Sequence, residues 1–276
     1  MATYTVGPAG DYATMSAAIA AATAGDTLQV LAAYVFDHGA EGIDYVHITK
    51  DNLTIESATG VTADAVIECD QGPDHRVINL HAGTTGTILS KLTLKQTYTG
   101  PTSNNVINAQ SLNLTLSDCV LESPQYGIDR PGSGSVISRC HFKAVGVTDD
   151  GRSYAILRPA GAVVIESCLF ENWQQFAVFN AVGTQTTRNC TFYMPTSTSS
   201  GVYAMYQAGT VNTVANCVFY AASTMTQPII MSDYASSSVK NCVAFGFANM
   251  VFTGLGGDIV QANNVGNATV VTPVFV

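Results

Sequence analysis

The sequence has few charged residues and no long apolar run, and each shortage excludes a class of protein. Only 11% of the 276 residues are charged, and 20 acidic side chains outnumber 11 basic ones, which gives a net charge of −9. A surface of this sign repels phosphate backbones, so we exclude nucleic acid as a partner. No run approaches the ~18 apolar residues that a membrane helix needs, so we expect a soluble protein and no membrane partner.

Signatures of disulfide frameworks, metal sites and secretion are missing as well. The seven cysteines form no Cys-x-x-Cys pair and are odd in number, which argues against a zinc site and against a closed disulfide set. The histidines lack the spacing of metal ligands, so we predict no metal and no cofactor. The N-terminus has neither a basic region nor an apolar stretch, and we therefore expect no signal peptide.

The sequence does contain an internal repeat. One short sequence motif recurs around six cysteines. In each copy we expect the cysteine, the residue three positions before it and the residue two positions after it to point inward. The six are Cys119, Cys140, Cys168, Cys190, Cys217 and Cys242. An apolar ladder lies twelve residues before this cysteine position in each repeat. It consists of Leu80, Ile107, Ile128, Ile156, Val178, Met205, Ile230 and Phe252.

The two spacings of the repeat predict its architecture. The interval from the apolar ladder to the cysteine is constant, whereas the return to the next repeat varies between 9 and 16 residues. This combination predicts a solenoid in which each turn has tight bends and one loop of variable length. The fold class that we predict is all-β: a right-handed single-stranded parallel β-helix, a solenoid of about ten rungs with reduced cysteines stacked in its core. We expect one domain over residues 1–276.

The residue before the cysteine position indicates how the chain turns there. It is asparagine in the last four rungs, at Asn189, Asn216, Asn241 and Asn263. Asparagine tolerates the left-handed conformation that a tight bend requires, and its amide can bond to the amides of the rungs above and below. We therefore predict an asparagine ladder along this bend.

The first 26 residues do not follow the repeat, and we predict a strand and a capping helix there. Met15, Ala18, Ile19 and Ala22 recur at helical spacing, and Thr14 is suited to be the N-cap. A short amphipathic helix over Thr14–Ala22 covers the open first rung, and the rungs then occupy residues 27–276.

Two parts of the chain resemble a known superfamily. The opening, from Asp11 to Ala22 and then Gly25-Asp26-Thr-Leu-Gln-Val, resembles that of the pectate-lyase-like superfamily, and of pectin methylesterases especially. The Asn-Cys-x-Phe phrase of the rungs resembles the same superfamily. The resemblance implies the β-helix fold. We find no match to the glutamine and paired aspartates of pectin methylesterases, or to the calcium-binding aspartates and the arginine of pectate lyases.

Enzymes of this fold usually carry their active site on the face of one sheet, so the outward residues of that face are the first candidates. If the apolar ladder points inward, the residues after it point outward. Asp129 is the one acid among them, and Leu157, Phe179, Tyr206 and Met231 form an apolar stripe in the later rungs. Such a stripe marks a protein contact. The alternative is a register shifted by one residue, which turns the stripe inward.

Other residues are candidates for carbohydrate binding or for catalysis on a carbohydrate. Asp129, Arg130 and Arg158 can gather in adjacent rungs as an acid with its partners, together with Glu166. Aromatic side chains near the return loops can stack on sugars or on another subunit. The two that we select are Tyr154 and Trp173.

Two functions from different classes fit these observations. The first is a non-enzymatic structural or adhesive β-helix of a virus-like (phage) particle, a capsid decoration or small virion appendage. It resembles phage spikes in its acidic, Ser- and Thr-rich composition. Its partners are then two further copies of itself, in a homotrimer, and a capsid or other virion protein, and it is located in the virion after synthesis in the host cytoplasm. The second is a carbohydrate-active lyase, hydrolase or esterase, with a polysaccharide as its partner.

Overall fold

The structure is a computed structural model. It describes residues 1–32, 34, 36, 41, 45–69, 76–97, 105–146, 153–173, 175–194, 203–221, 227–231, 237–247, 260–262 and 265–266. For 227, 230–231, 260–262 and 265–266 it describes the backbone alone. Phe252 and Asn263 of the predicted ladders lie outside these residues.

The described part of the chain forms three parallel sheets, and each complete rung contributes one strand to each sheet in turn. The first sheet has eleven strands. They are β1 (Thr3–Val6), β2 (Thr27–Val30), β4 (Thr54–Ser57), β7 (Ile88–Ser90), β10 (Thr115–Ser117), β13 (Ser135–Ser138), β16 (Ala162–Glu166), β19 (Thr184–Arg188), β22 (Asn212–Ala215), β25 (Ser238–Lys240) and β27 (Val260–Ala262).

The second sheet has nine strands and the third has eight. The second contains β5 (Val66–Cys69), β8 (Thr93–Gln96), β11 (Val120–Ser123), β14 (His141–Ala144), β17 (Leu169–Glu171), β20 (Thr191–Met194), β23 (Val218–Ala221), β26 (Val243–Phe245) and β28 (Val265–Gly266). The third contains β3 (Val46–Ile48), β6 (Arg76–Leu80), β9 (Asn105–Ala109), β12 (Tyr126–Asp129), β15 (Tyr154–Leu157), β18 (Phe176–Asn180), β21 (Tyr203–Gln207) and β24 (Gln227–Met231). This is the predicted β-helix.

One helix, α1 (Met15–Ala21), and a short 3-10 helix (Thr62–Asp64) complete the elements of the described chain. The Thr14 hydroxyl accepts a hydrogen bond from the backbone N–H of Ala17, so Thr14 is the predicted N-cap. Met15, Ala18 and Ile19 are buried. The helix therefore buries its apolar side against the first rung, as its spacing predicts.

The bend between the first and second sheets follows the prediction in detail. Asn189, Asn216 and Asn241 have φ angles of 54–56°, in the left-handed region. The Asn241 amide nitrogen donates to Oδ1 of Asn216 at 3.1 Å, and the Asn216 amide nitrogen donates to Oδ1 of Asn189 at 3.2 Å. The asparagine ladder is confirmed for these three rungs.

The cysteines and phenylalanines form two adjacent inward columns. All six predicted cysteines are buried, with at most 2% of each residue exposed. Two residues further on, Phe142, Phe170, Phe192 and Phe219 are fully buried and stack ring on ring, with centroids 4.7–5.0 Å apart. Burying a phenylalanine side chain is worth roughly 2–3 kcal/mol, so this column is a main source of stability.

The register of the third sheet corrects the predicted ladder at both ends. Ile78, and not Leu80, pairs with Ile107, and Ile229, and not Ile230, pairs with Met205. The twelve-residue spacing therefore does not hold in the first and last of these rungs. In between, the ladder is confirmed: Ile107, Ile128, Ile156, Val178 and Met205 are in register and fully buried.

Three strands of the third sheet, β15, β18 and β21, bend directly before their ladder residues. Ala155, Ala177 and Ala204 precede ladder residues, and each is fully buried. Two consecutive residues thus point inward, which period-two alternation does not allow, so the strand bends between them. Each rung therefore has two outward positions here: the residue two positions before the ladder residue and the residue directly after it.

Candidate functional site

The outer surface of the third sheet carries two outward columns, and we call it the third-sheet face. One column lies two residues before the ladder and contains Tyr126, Tyr154, Phe176 and Tyr203. The other lies one residue after the ladder and contains His47, Asn79, Asn108, Asp129, Leu157, Phe179 and Tyr206. Along the solenoid the face changes from polar to apolar between Asp129 and Leu157.

The apolar half is a continuous aromatic patch that bridges both columns. Phe176 contacts Phe179 within its own rung at 5.4 Å between ring centroids, and Tyr206 in the next rung at 5.7 Å. Tyr154 contacts Phe179 at 5.8 Å. The predicted stripe is thus part of a wider patch, because the column that contains Tyr154 and Phe176 adds to it. Leu157 is 8% exposed and lies at its edge.

The rings of this patch cover each other's faces. Phe179 and Tyr206 stack with their planes 10° apart, and Phe176 and Tyr203 with theirs 13° apart. A ring stacked in this way along the solenoid axis turns its edge outward. Sugar recognition by stacking needs an exposed ring face, so this arrangement favours contact with apolar protein side chains over contact with a glycan.

Met231 does not belong to the stripe. The register pairs Ile230 with Tyr206, and Met231 with Gln207. Ile230, and not Met231, therefore follows Tyr206 in register, and the constant twelve-residue spacing misassigned Met231 by one residue.

Asp129, Arg130 and Arg158 come together at the border between the polar and apolar halves. Nη2 of Arg158 donates to both carboxylate oxygens of Asp129 at 3.0 Å, and its Nε donates to Oδ1 at 3.2 Å. Nε of Arg130 lies 3.7 Å from Oδ2. The Asp129 side chain is only 9% exposed, whereas those of Arg130 and Arg158 are 47% and 43% exposed. Glu166 is not part of this cluster, because it pairs with Arg188 in the first sheet.

Trp173 is not a surface residue. It is fully buried, and its indole N–H donates to the carbonyl of Phe142 at 3.0 Å. Its ring is therefore not accessible for stacking on a sugar or on another subunit, the two alternatives that its sequence position left open. Tyr154 does lie on the third-sheet face, where its ring stacks between those of Tyr126 and Phe176.

Sequence patterns had not singled out the polar half of the face. The Asn108 amide nitrogen donates to Oδ1 of Asn79 at 2.8 Å, and the His47 ring lies 5.7 Å from that of His81. Burial and the neighbouring His81 lower the pKa of His47, which favours its neutral form. Asn108 occupies the outward column that the predicted ladder defines, so the ladder position was a usable signal for it. Asn79 and His47 lie in rungs where that ladder is misassigned or does not reach.

Polysaccharide hydrolysis needs two carboxyl groups about 5–10 Å apart. Along the two outward columns, within the described residues, the third-sheet face offers only Asp129. The same residues contain no cluster of three or more histidine, cysteine, aspartate or glutamate side chains that could hold a metal ion. No helix among them is long and apolar enough to cross a bilayer.

Comparison with known proteins identifies the fold and nothing finer. No family model and no curated protein matches the sequence. Among solved structures, the alginate lyase from Paenibacillus sp. str. FPU-7 superposes with a TM-score of 0.59 at 12% identity, over 97% of this chain and 98% of the other. The pectin methylesterase from Aspergillus niger superposes with a TM-score of 0.57 at 14% identity, over 97% and 86%.

A third neighbour is the pectin methylesterase from carrot, with a TM-score of 0.55 at 13% identity over 98% of this chain and 84% of the other. The structural neighbours are thus mostly carbohydrate-active β-helix enzymes. At these identities the likeness concerns the backbone. Together with the three parallel sheets and the capping helix, it identifies the protein as a right-handed parallel β-helix of the pectate-lyase-like fold.

Proposed function

We propose that the protein is a non-enzymatic structural β-helix that associates with two further copies of itself through the aromatic patch of the third-sheet face. The patch is the observation that carries this proposal. It spans at least three rungs and joins two columns of rings. Contiguous apolar surface of this kind is rare on a monomer unless a partner covers it.

The chemistry of the face also supports a binding role over catalysis. Asp129 accepts two-pronged hydrogen bonds from Arg158, so its carboxylate is neutralised in place. A general acid on this face needs a second carboxyl group beside it. We propose a closed assembly, because self-association usually closes by rotation, and a three-fold one with parallel solenoid axes, because the protein resembles phage spikes.

The test is a double substitution within the patch. Phe179→Lys with Tyr206→Lys brings six positive charges into a three-fold interface and should convert the trimer to monomer. Val182→Lys is the matched control, since Val182 is 65% exposed and lies outside the patch. Sedimentation velocity reports the mass, and circular dichroism reports the fold. A double variant that still sediments as the wild-type trimer overturns the proposal.

The setting that we propose for this assembly is a virus-like particle, as a capsid decoration or small appendage that contacts a capsid or other virion protein. A rigid, acidic solenoid with few charged residues suits such a place. Quantitative mass spectrometry of particles purified from the source culture should find the protein in many copies per particle. Its absence from particles while it is present in cells contradicts this setting.

A carbohydrate-active enzyme is the second candidate. Asp129 with Arg158 and Arg130 favours it, since a carboxyl group between two guanidinium groups lies on a sheet face of this fold. Structural neighbours with the same fold are an alginate lyase and pectin methylesterases. Alginate and pectin are the substrates to try, with ultraviolet absorbance for elimination and methanol release for ester hydrolysis. Activity that Asp129→Asn abolishes would support this candidate, and no activity on either polymer would exclude lyase or esterase action on them.

A further inference from the structure

The outer surface of the second sheet contains a groove that the third-sheet face does not involve. Its volume is about 470 Å³, within the range of ligand pockets. It lies between β17 and β20, beside the bend to the first sheet. We call it the ladder-end groove, and the lining residues that matter here are Ser167, Leu169, Glu171, Asn189, Thr191 and Tyr193.

The groove lies where the asparagine ladder stops. Each amide nitrogen of the ladder donates to the asparagine of the preceding rung, as Asn241 does to Asn216 and Asn216 does to Asn189. The rung before Asn189 has Ser167 at this bend, with a φ of 56°. A serine is too short to continue the ladder. The Asn189 amide nitrogen donates no hydrogen bond to the described residues, and Asn189 and Ser167 both line the groove.

Glu171 supplies acceptors on the other side of the groove. Nε2 of His141 lies 2.8 Å from Oε2 of Glu171, and this contact fixes the carboxylate in position. The Glu171 side chain is 25% exposed, so it remains accessible from the groove. Thr191 adds a hydroxyl group that can donate or accept.

Tyr193 supplies the aromatic wall. Its ring stacks on that of Tyr220 one rung further on, with centroids 5.2 Å apart, so the ring face that it can offer to a ligand is the one on the side of its strand partner Glu171. The groove therefore places one aromatic ring beside amide, hydroxyl and carboxylate groups that come from two adjacent rungs. This combination matches the alternating apolar patches and hydroxyl groups of a sugar ring.

Charge decides which sugars fit. Among the residues that the structure describes, no lysine or arginine lines the groove, and the carboxylate of Glu171 is its one charged group. A uronate, sulfate or phosphate group would face this carboxylate with no cation among the lining residues to balance it, since Lys143 of the preceding rung pairs with Glu122. We propose that the ladder-end groove is a binding site for a neutral oligosaccharide. This site is independent of association through the third-sheet face, because it lies on a different sheet.

The test measures binding of neutral tetrasaccharides of glucose, galactose, mannose and xylose by saturation-transfer NMR and calorimetry, with tetragalacturonate as the anionic comparator. At least one neutral tetrasaccharide should bind, and tetragalacturonate should bind at least tenfold more weakly. Ser167→Asn is the sharpest variant. Asparagine accepts the left-handed bend, extends the ladder to Asn189 and fills the groove, so binding should fall at least tenfold while the melting temperature stays the same or rises.

Two further variants and a control complete the test. Glu171→Gln and Tyr193→Ala should each weaken binding at least tenfold. Glu122→Gln should not, since Glu122 occupies the same outward column two rungs earlier, pairs with Lys143 and does not line the groove. The proposal is overturned if none of the four neutral tetrasaccharides binds, or if Ser167→Asn and Tyr193→Ala both bind as the wild type does.

Discussion

The ring of Phe179 lies on the ring of Tyr206 in the next rung, with centroids 4.9 Å apart and planes 10° apart. The two residues are outward neighbours in register on the third sheet, so the parallel backbone itself sets their stacking. Like side chains at one position of every rung form columns, and the columns of this solenoid differ by sheet. They are cysteine and phenylalanine inside, asparagine at one bend, and aromatic rings on one outer face.

The ion pair between Asp129 and Arg158 should stabilise the protein. Arg158→Ala leaves a nearly buried carboxylate without its two-pronged donor, and we expect a loss of about 2 kcal/mol in the free energy of unfolding. Arg130→Ala should cost less than half as much, because its contact with Asp129 is 3.7 Å long and exposed. Urea unfolding measures the free energy of unfolding of both variants. Equal losses would show that the two-pronged geometry of Arg158 does not contribute to stability.

The phenylalanine column should be sensitive to truncation. Phe170 stacks on Phe142 and Phe192 and is fully buried, so Phe170→Ala should cost about 3–5 kcal/mol. Phe170→Asp or Cys168→Asp buries an unpaired charge and should prevent folding. Soluble expression and circular dichroism report the outcome. A folded, soluble Cys168→Asp protein would contradict the inward assignment of the cysteine column.

The sequence determined these inside columns more reliably than the outside ones, for a physical reason. The left-handed bend at Asn189 marks where the alternation of inward and outward side chains restarts. The inward direction of Cys190 and of its equivalents in other rungs could therefore be predicted correctly. The third sheet has no such marker. Its strands bend between two buried residues such as Ala177 and Val178, and neither alternation nor a constant spacing reveals that corner.

The same reason explains the errors at particular residues. Leu80 and Ile230 fit the apolar ladder by composition, since their neighbours Ile78 and Ile229 are equally apolar, and only backbone pairing distinguishes them. Trp173 stands in a short return segment and resembles a surface aromatic in sequence. Its indole N–H bond to the Phe142 carbonyl depends on the three-dimensional path of that segment.

All seven cysteines should be reduced thiols. The structure has each of them buried and unbridged. The hydrogen bond with the Cys190 thiol, together with burial, raises the pKa of Cys217 to about 12, so its reactive thiolate is scarce at neutral pH. Because all seven thiols are buried, a thiol reagent at pH 8 should reach almost none of them in the native protein and seven after denaturation without reductant. Five or fewer after denaturation would show that a disulfide forms.

The N-terminal cap should weaken in acid. The backbone N–H groups of Ala2 and Thr23 and the Thr23 hydroxyl donate to Asp26 and lower its pKa from 3.8 to about 2. A folded-state pKa below the unfolded value stabilises the protein fully above about pH 4, and this contribution is lost as the pH falls towards 2.

Asp26→Asn should therefore lower the melting temperature by a constant amount between pH 5 and 8, and the difference from wild type should shrink between pH 4 and 2. Differential scanning calorimetry over this range measures it. A difference that persists unchanged at pH 2 would mean that the charge of Asp26 does not contribute.

The central claim is that the aromatic patch of the third-sheet face is an interface between copies of this chain. The mass of the purified wild-type protein in solution, measured by sedimentation equilibrium over a hundredfold range of concentration, tests it most directly. The account predicts a stable species of three times the 28.9 kDa mass of one chain. A single species at 28.9 kDa across the whole range would contradict it.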